Sequence, residues 1–193
     1  MSLDSLQDLY IEHIQDLYDA EQQIIKALPK LIDKAANPEL KRGFTEHLAQ
    51  TREHARRLES IGKRAGQKVD GKTCKGMEGV IKEGAEVLKE DGDETVLDAA
   101  LISAAQRVEH YEMAGYGCAR AYAEALGFGE DADALQQTLD EEAETDEKLT
   151  QLAESIINPA AADESTDTAT SSSRSPRSPA RDSSRDRDNE ARF

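Results

Sequence analysis

The stretch LKRGFTEHLAQTREHARRLESI, residues 40–61, decides the fold. Its apolar residues recur in alternating steps of three and four, which is the spacing of one buried face of an α-helix. The residues on this face are Leu40, Phe44, His47, Thr51, His54, Leu58 and Ile61. Large apolar side chains occupy both ends of the face, but histidine and threonine occupy its middle. The stretch therefore predicts a core helix with polar groups at mid-length.

The flanking sequence predicts three more long helices and no strand. The predicted helices are A, about Asp4 to Ala36; B, about Asn37 to Ala65; C, about Thr95 to Leu126; and D, about Asp131 to Ile157. A shorter helix, about Lys75 to Lys89, is predicted in the long link between B and C. Each long helix has one apolar stripe, as the helices of a four-helix bundle do. A link of this length can cross the whole bundle.

All four stripes are interrupted near their middle by side chains that can bind metals. These are Glu21 on helix A, His54 on helix B, Glu112 on helix C, and Glu142 and Asp146 on helix D. Glu21 lies 16 residues before Asn37 and His54 lies 17 after it, so they face each other in an antiparallel hairpin. The second hairpin repeats this spacing, and each group lies about 24 Å from its own loop. Gln50, one turn before His54, can point at the same space.

The buried carboxylates predict a cation. Four of them in an apolar core cannot all stay charged and unpaired. No Lys or Arg occupies the stripe positions beside them. Carboxylates with one imidazole suit iron, manganese or zinc, and we expect one or two ions per chain. Any single Glu of the set can instead be a hydrogen-bonded core acid or a surface residue, but the matched heights favour a metal site.

Two residues near the predicted site allow two interpretations each. His47 is seven residues from His54, about 10 Å along the helix, and is interpreted as a core or interface histidine rather than a ligand. Glu109 lies one turn before Glu112 and can reach the site, but surface exposure is the alternative. We keep Glu109 among the candidate ligands.

Composition divides the chain into a bundle domain, residues 1–158, and a tail, residues 159–193. The tail has one large apolar residue, Phe193, and cannot form a core, so we predict a disordered Ser/Arg/Asp-rich segment. Its Arg-Ser-Pro triplets could bind RNA or accept phosphate. The balance of six Arg against seven Asp and Glu favours a solvating role.

The bundle carries nearly all of the net charge. The whole chain has a charge of −16, of which the tail contributes only −1. Such an acidic bundle repels nucleic acid and anionic membranes, although its acidity can also reflect a salt-adapted source. The chain has no apolar run of membrane-spanning length and no signal peptide at Met1, so we expect a cytoplasmic protein.

Five segments together resemble the YciF/YciE family of stress proteins, which is ferritin-like. They are LYDAEQQIIKALPKL (17–31), FTEHLAQTREHARRLE (44–59), CKGMEGVIKE (74–83), AAQRVEHYEMAGYG (104–117) and LDEEAETDEKLTQLA (139–153). The resemblance covers residues 3–157. It implies a ferritin-like four-helix bundle with a crossover between helices B and C, a rubrerythrin-like arrangement of metal ligands, a homodimer, and expression under stress.

One departure from the family concerns Gln50. Where the family usually reads HLEET, residues 47–51 read HLAQT, so Gln50 replaces a natural acidic ligand. A neutral amide binds hard cations more weakly, which favours a single ion or a weaker second site. Two functions stay open: a metal protein that oxidises iron or scavenges peroxide, and a non-catalytic dimeric stress protein with a vestigial site. A third possibility is an interaction module that recruits partners through the tail.

Overall fold

Five α-helices account for most of the chain. The computed structural model describes residues 3–163, and these contain no strand. The helices are α1, Leu6–Lys34; α2, Pro38–Arg64; α3, Lys75–Val87; α4, Glu94–Ala125; and α5, Gly129–Leu152. They confirm predicted helices A and B, the crossover helix, and helices C and D, with ends shifted by a few residues.

The four long helices form a ferritin-like four-helix bundle, as predicted. Helices α1 and α2 form one hairpin, and α4 and α5 form the other. Helix α1 also packs on α4, and α2 packs on α5, so the ring order is α1, α2, α5, α4. The crossover helix α3 lies against α4 and α1 on one side of the bundle. None of the helices in the described part combines the length and apolarity that a bilayer span requires.

Side-chain hydrogen bonds to the backbone fix the end of the bundle at the α1–α2 loop. The Asn37 side chain caps α2 by accepting from the backbone N–H groups of Glu39 and Leu40 at 2.8 and 3.2 Å. Asp98 of α4 reaches the same loop and accepts from the N–H groups of Ala36 and Asn37 at 2.9 and 2.8 Å. The second hairpin is therefore tied directly to the loop of the first.

A second buried acid ties the opposite end. Asp131 of α5 accepts from the Tyr10 hydroxyl of α1 at 2.9 Å and from Nε of Arg64 of α2 at 2.6 Å. Gly127 ends α4 with a φ of 74°, a conformation that glycine adopts without the strain of a Cβ atom. Helix D is predicted from Asp131, but α5 begins at Gly129. Asp131 therefore lies in the first turn of α5, from which its side chain binds α1 and α2.

The core consists of two apolar clusters. One lies toward the α1–α2 loop and includes Leu28, Leu40, Phe44 and Leu101. The other lies toward the α4–α5 loop and includes Tyr10, Ile14, Leu58, Tyr116 and Leu135. The polar residues that interrupt the stripes lie between the two clusters.

A π-helical turn, which is wider than an α-helical turn, follows α5. Ala153–Ile157 form one π-helical turn, and residues 158–163 are helical again. Pro159 has no N–H to donate and its ring crowds the carbonyl of Ser155 in a regular α-helix, which accounts for a wider turn before it. Helix thus extends five residues past the predicted boundary at Asn158. The rest of the predicted disordered tail lies outside the described residues.

Asp98→Ala is predicted to destabilise the protein. The change leaves the N–H groups of Ala36 and Asn37 without their acceptor, which costs about 1–3 kcal/mol. Asp133→Ala, on the exposed face of α5, should change the free energy of unfolding by less than about 0.5 kcal/mol. Urea unfolding followed by circular dichroism measures both. Equal midpoints for the two variants would show that Asp98 does not hold the loop.

Candidate metal centre

Six ionisable side chains lie buried between the two apolar clusters, each at most 3 % exposed. All four long helices contribute to this polar layer, which consists of Glu21 from α1, His47 and His54 from α2, Glu109 and Glu112 from α4, and Glu142 from α5. Each residue lies about halfway along its helix. These side chains therefore lie near the middle of the bundle, as the residue counts from the two hairpin loops predicted.

The polar layer contains two overlapping groups of potential ligands. The first consists of Glu21, His54 and Glu142, and the second of His47, Glu109, Glu112 and Glu142. Within each group, one ligand atom from every residue lies within 4.8 Å of the others. Because Glu142 belongs to both groups, its two carboxylate oxygens can serve two neighbouring ion positions.

Distances to Glu142 show how it joins the groups. His54 Nδ1 lies 2.8 Å from Glu142 Oε1 and 3.5 Å from Glu21 Oε1. His47 Nδ1 lies 3.9 Å from Glu142 Oε2, and His47 Nε2 lies 3.3 Å from Glu109 Oε1. Each oxygen of Glu142 thus faces a different imidazole.

Burial and neighbouring charges perturb the acids of the layer in different directions. Burial, reinforced by the charges of neighbouring glutamates, raises the pKa of Glu109 and of Glu112 well above their ordinary range. Burial also raises the pKa of Glu21, to about 7. For Glu142 the contact with His54 outweighs burial, and its pKa is lowered. Without a cation, burial therefore favours the protonated forms of Glu109 and Glu112, while the contact with His54 favours the ionised form of Glu142.

The two histidines also differ. Burial lowers the pKa of His54, but its contacts with Glu142 and Glu21 outweigh burial and raise it to about 10. For His47, burial outweighs the charge of Glu142 and lowers its pKa. His54 and Glu142 thus favour their charged forms as an ion pair, whereas burial favours the neutral form of His47.

A carboxylate outside the layer orients His54. Glu141 Oε2 lies 2.8 Å from His54 Nε2, and Arg57 donates to both oxygens of Glu141 at 2.6 and 3.0 Å. Burial opposes ionisation of Glu141, but Arg57 and His54 prevail and lower its pKa to about 2. A histidine that donates from one nitrogen to a carboxylate presents the other to a metal, so Nδ1, which lies 2.8 Å from Glu142 Oε1, is the atom of His54 that faces the ligand group.

Two residues that contact the polar layer, Glu141 and Tyr116, were not predicted from the sequence. Glu141 directly precedes the recognised Glu142. Tyr116 is completely buried and its hydroxyl donates to Glu21. Tyr116 lies one helical turn after Glu112, and that spacing is the signal that could have identified it.

The structure brings most of the predicted ligands together and corrects the alternative that placed Glu109 at the surface. Glu21, His54, Glu112 and Glu142 all belong to the layer. Glu109 is 1 % exposed, so the alternative of a surface residue was wrong. His47, interpreted as a core histidine rather than a ligand, also belongs to the layer. His47 and His54 approach different oxygens of Glu142, Oε2 at 3.9 Å and Oε1 at 2.8 Å.

Asp146 and Gln50 lie at the margins. Asp146 is outside both groups, and it accepts from Gln106 Nε2 at 3.1 Å and lies 3.3 Å from His110 Nε2. Helix α5 is rotated so that Thr145, rather than Asp146, follows Glu142 into the core. Gln50 is half-buried and lines a groove beside His47 and Glu109.

The residues present fit a cation. Oε2 of Glu21, Glu109 and Glu142 and both oxygens of Glu112 are fully buried without a hydrogen-bond partner, and so are both ring nitrogens of His47. Buried polar atoms are normally paired, so an unpaired set that converges on one space calls for a ligand. Hard carboxylate oxygens with imidazole nitrogens are a donor set for iron, manganese or zinc.

Comparison with known proteins identifies relatives. Residues 5–162 match the family described as Domain of unknown function (DUF892). Protein YciF of Escherichia coli is 40% identical over 159 residues, which span 82% of this chain and 96% of YciF. The resemblance to the YciF/YciE family is thereby confirmed.

Solved structures agree with this relationship. The structure of the E. coli stress protein YciF matches with a TM-score of 0.77 at 40% identity, and covers 80% of this chain and 98% of that one. YcfI from Rhodopseudomonas palustris matches with a TM-score of 0.75 at 44% identity, covering 77% and 95%. A two-domain protein from Anabaena variabilis with a ferritin-like domain matches with a TM-score of 0.52 at 15% identity, covering 94% and 42%, and supports the fold alone.

The metal-free protein is predicted to lose stability as the pH rises from about 5 to about 8. The raised pKa of Glu112 means that the folded chain keeps this proton above the unfolded value near 4.5, and unfolding then releases it. Glu112→Gln cannot ionise, so its melting temperature should exceed that of the parent by a few degrees at pH 8 and converge with it near pH 5. Thermal unfolding with a chelator present measures the effect.

The exposed Glu144→Gln is the control and should follow the parent at every pH. A Glu112→Gln variant that loses stability as steeply as the parent would contradict a raised pKa at Glu112.

Proposed function

The chain belongs to the DUF892 family, and we propose that it is a metal-binding stress-response protein that holds up to two ions at the centre of its bundle. One observation carries the proposal: two groups of buried ligand atoms share Glu142, and most of those atoms have no hydrogen-bond partner. The description of YciF as a stress protein supports the biological context.

The ligands divide between two positions. The inner position is formed by Glu21, His54 and Glu142, and the outer position by His47, Glu109, Glu112 and Glu142. Glu141 orients His54 toward the inner position, and Tyr116 orients Glu21 by donating a hydrogen bond to it. These contacts hold the ligands of the inner position in place before an ion binds.

Iron is the ion that we propose, with manganese and zinc as the alternatives. The donor set of carboxylates and imidazoles suits all three. Iron, when bound, supplies one-electron redox chemistry, and the reactions that we propose are iron oxidation and peroxide scavenging. The protein's part is to hold the ions close together, to exclude bulk water from the layer, and to accept or release protons at the buried carboxyls.

A homodimeric assembly and a cytoplasmic location are part of the same proposal. The homodimer rests on the resemblance to the YciF/YciE family, and the cytoplasmic location rests on the expectation from the sequence.

A non-catalytic structural role is the second candidate. It is favoured by the partial neutralisation of the layer within the chain itself, because His54 pairs with Glu142, and Arg57 pairs with Glu141. A bundle that is neutralised in this way can fold without a metal. Metal content separates the two candidates.

The purified protein is predicted to bind close to two equivalents of iron or manganese per chain. Glu142→Gln should lower both affinities by about 10-fold or more, since the shared carboxylate serves both positions. Anaerobic titration with ferrous iron followed by calorimetry and elemental analysis measures the stoichiometry. Glu144→Gln, two residues later on the exposed side of α5, is the matched control and should bind as the parent does. A parent that neither retains nor takes up metal would refute the proposal.

Gln50→Glu is predicted to strengthen the outer position. Gln50 lies beside His47 and Glu109 at the edge of the layer, so an acid there adds a hard anionic ligand. The variant should bind the second ion more tightly, and its melting temperature should rise further when iron or manganese is added. Without metal, the extra carboxylate should lower the melting temperature. Parent-like melting in both conditions would place Gln50 outside the site.

A further inference from the structure

A groove between α2 and α5 leads from the surface to the polar layer. Its volume is about 570 Å³, and His47, Gln50 and Glu109 lie along it together with Thr145. His47 and Glu109 are almost completely buried, and both ring nitrogens of His47 and Oε2 of Glu109 lack a hydrogen-bond partner. The groove therefore ends on unpaired ligand atoms of the outer position.

The inner position lacks such access. Glu21 and His54 are both 0 % exposed, and neither lines this groove. Tyr116 covers one oxygen of Glu21, and Glu141 contacts Nε2 of His54 at 2.8 Å. The two positions thus share Glu142 but differ in what can reach them from outside.

We propose that the groove between α2 and α5 admits small anions, of the size and charge of azide or hydroperoxide, to the outer ion position, while the inner position is closed to them. This inference rests on the proposed function, because it requires an ion held by His47 and Glu109. Of the two ion positions, the outer one would contact an anion that enters from solvent.

The lining of the groove suits an anion better than the rest of the surface does. The whole chain carries a net charge of −16 and repels anions in general. Arg42 and Lys148 bring positive charge to the rim of the groove, where Arg42 lies 3.8 Å from Glu46 and Lys148 lies 2.8 Å from Glu144. Gln50 adds a neutral amide that can donate a hydrogen bond, where a glutamate would repel the ligand.

A second pocket reaches the same two residues but suits a different ligand. It lies among α1, α3 and α4, has a volume of about 70 Å³, and is lined mainly by aliphatic side chains around His47 and Glu109. An apolar pocket cannot replace the hydration of an anion. The polar groove is therefore the route for the anion.

Cobalt(II) and azide test the inference without any assay of activity. Cobalt takes similar ligands and its visible absorption reports changes in coordination. Full-length protein loaded with two equivalents of cobalt should change its visible spectrum when azide is added. A parent that takes up no cobalt, iron or manganese refutes the proposed function. A parent that takes up two equivalents and ignores azide refutes only the present inference.

Two histidine variants identify the position that responds. His47→Ala should retain one cobalt equivalent at the inner position and give no response to azide. His54→Ala should retain one equivalent at the outer position and respond as the parent does. The opposite pattern would assign access to the inner position and overturn the inference.

A bulky residue in the groove tests the route. Gly43 lines the groove on an exposed face of α2, with open space where a Cβ atom would lie. Gly43→Trp should slow azide binding, measured by stopped flow, by about tenfold while cobalt affinity stays unchanged. Gly79→Trp, at an equally open and exposed position on α3, is the matched control and should bind azide at the parent's rate. An unchanged rate in Gly43→Trp would overturn the assignment of the route.

Discussion

The arrangement of the bundle depends on ionisable side chains that are buried between two apolar clusters. An isolated charge in such a core loses its hydration, so each group must be paired, hold a proton or bind a cation. His54 and Glu142 meet this constraint as an ion pair, while burial favours protonation of Glu109 and Glu112. An ion that enters the layer replaces these protons as the source of positive charge. Protonation and metal binding are thus alternative ways to neutralise the same carboxyls.

The register of the helices brings these groups to one height. Asp98 of α4 binds the loop between α1 and α2, and Asp131 of α5 binds Tyr10 and Arg64 near the opposite end. Each hairpin is therefore held against the other at both ends. A slip of one helical turn would break both sets of bonds and separate the ligands by about 5 Å. The buried acids at the ends position the buried acids in the middle.

The sequence predicted the fold well because apolar spacing and helix-end signals, such as the Asn37 cap and the positive φ of Gly127, are local. Counting residues from the loops also predicted Glu21, His54, Glu112 and Glu142. The predictions failed for residues three or four positions away from a ligand, because these two spacings fall on opposite sides of a buried stripe. Glu109, three residues before Glu112, is in the core; Asp146, four after Glu142, is not. That choice depends on helix rotation, which is set by packing against neighbouring helices.

The residues that follow α5 line part of the groove that leads to the site. Sequence composition marks Pro159 as the start of a tail, but in the structure it follows a π-helical turn within a continuous helix. The wider turn places Ser155 and Ile156 along the groove that leads to His47 and Glu109. On the facing helix, the groove is lined by Gln50, a neutral amide rather than an acid. An acid there would strengthen the ligand set but would oppose the approach of an anion. Compared with an acid, the amide is therefore expected to bind the ion more weakly and to let an anion approach the ion more easily.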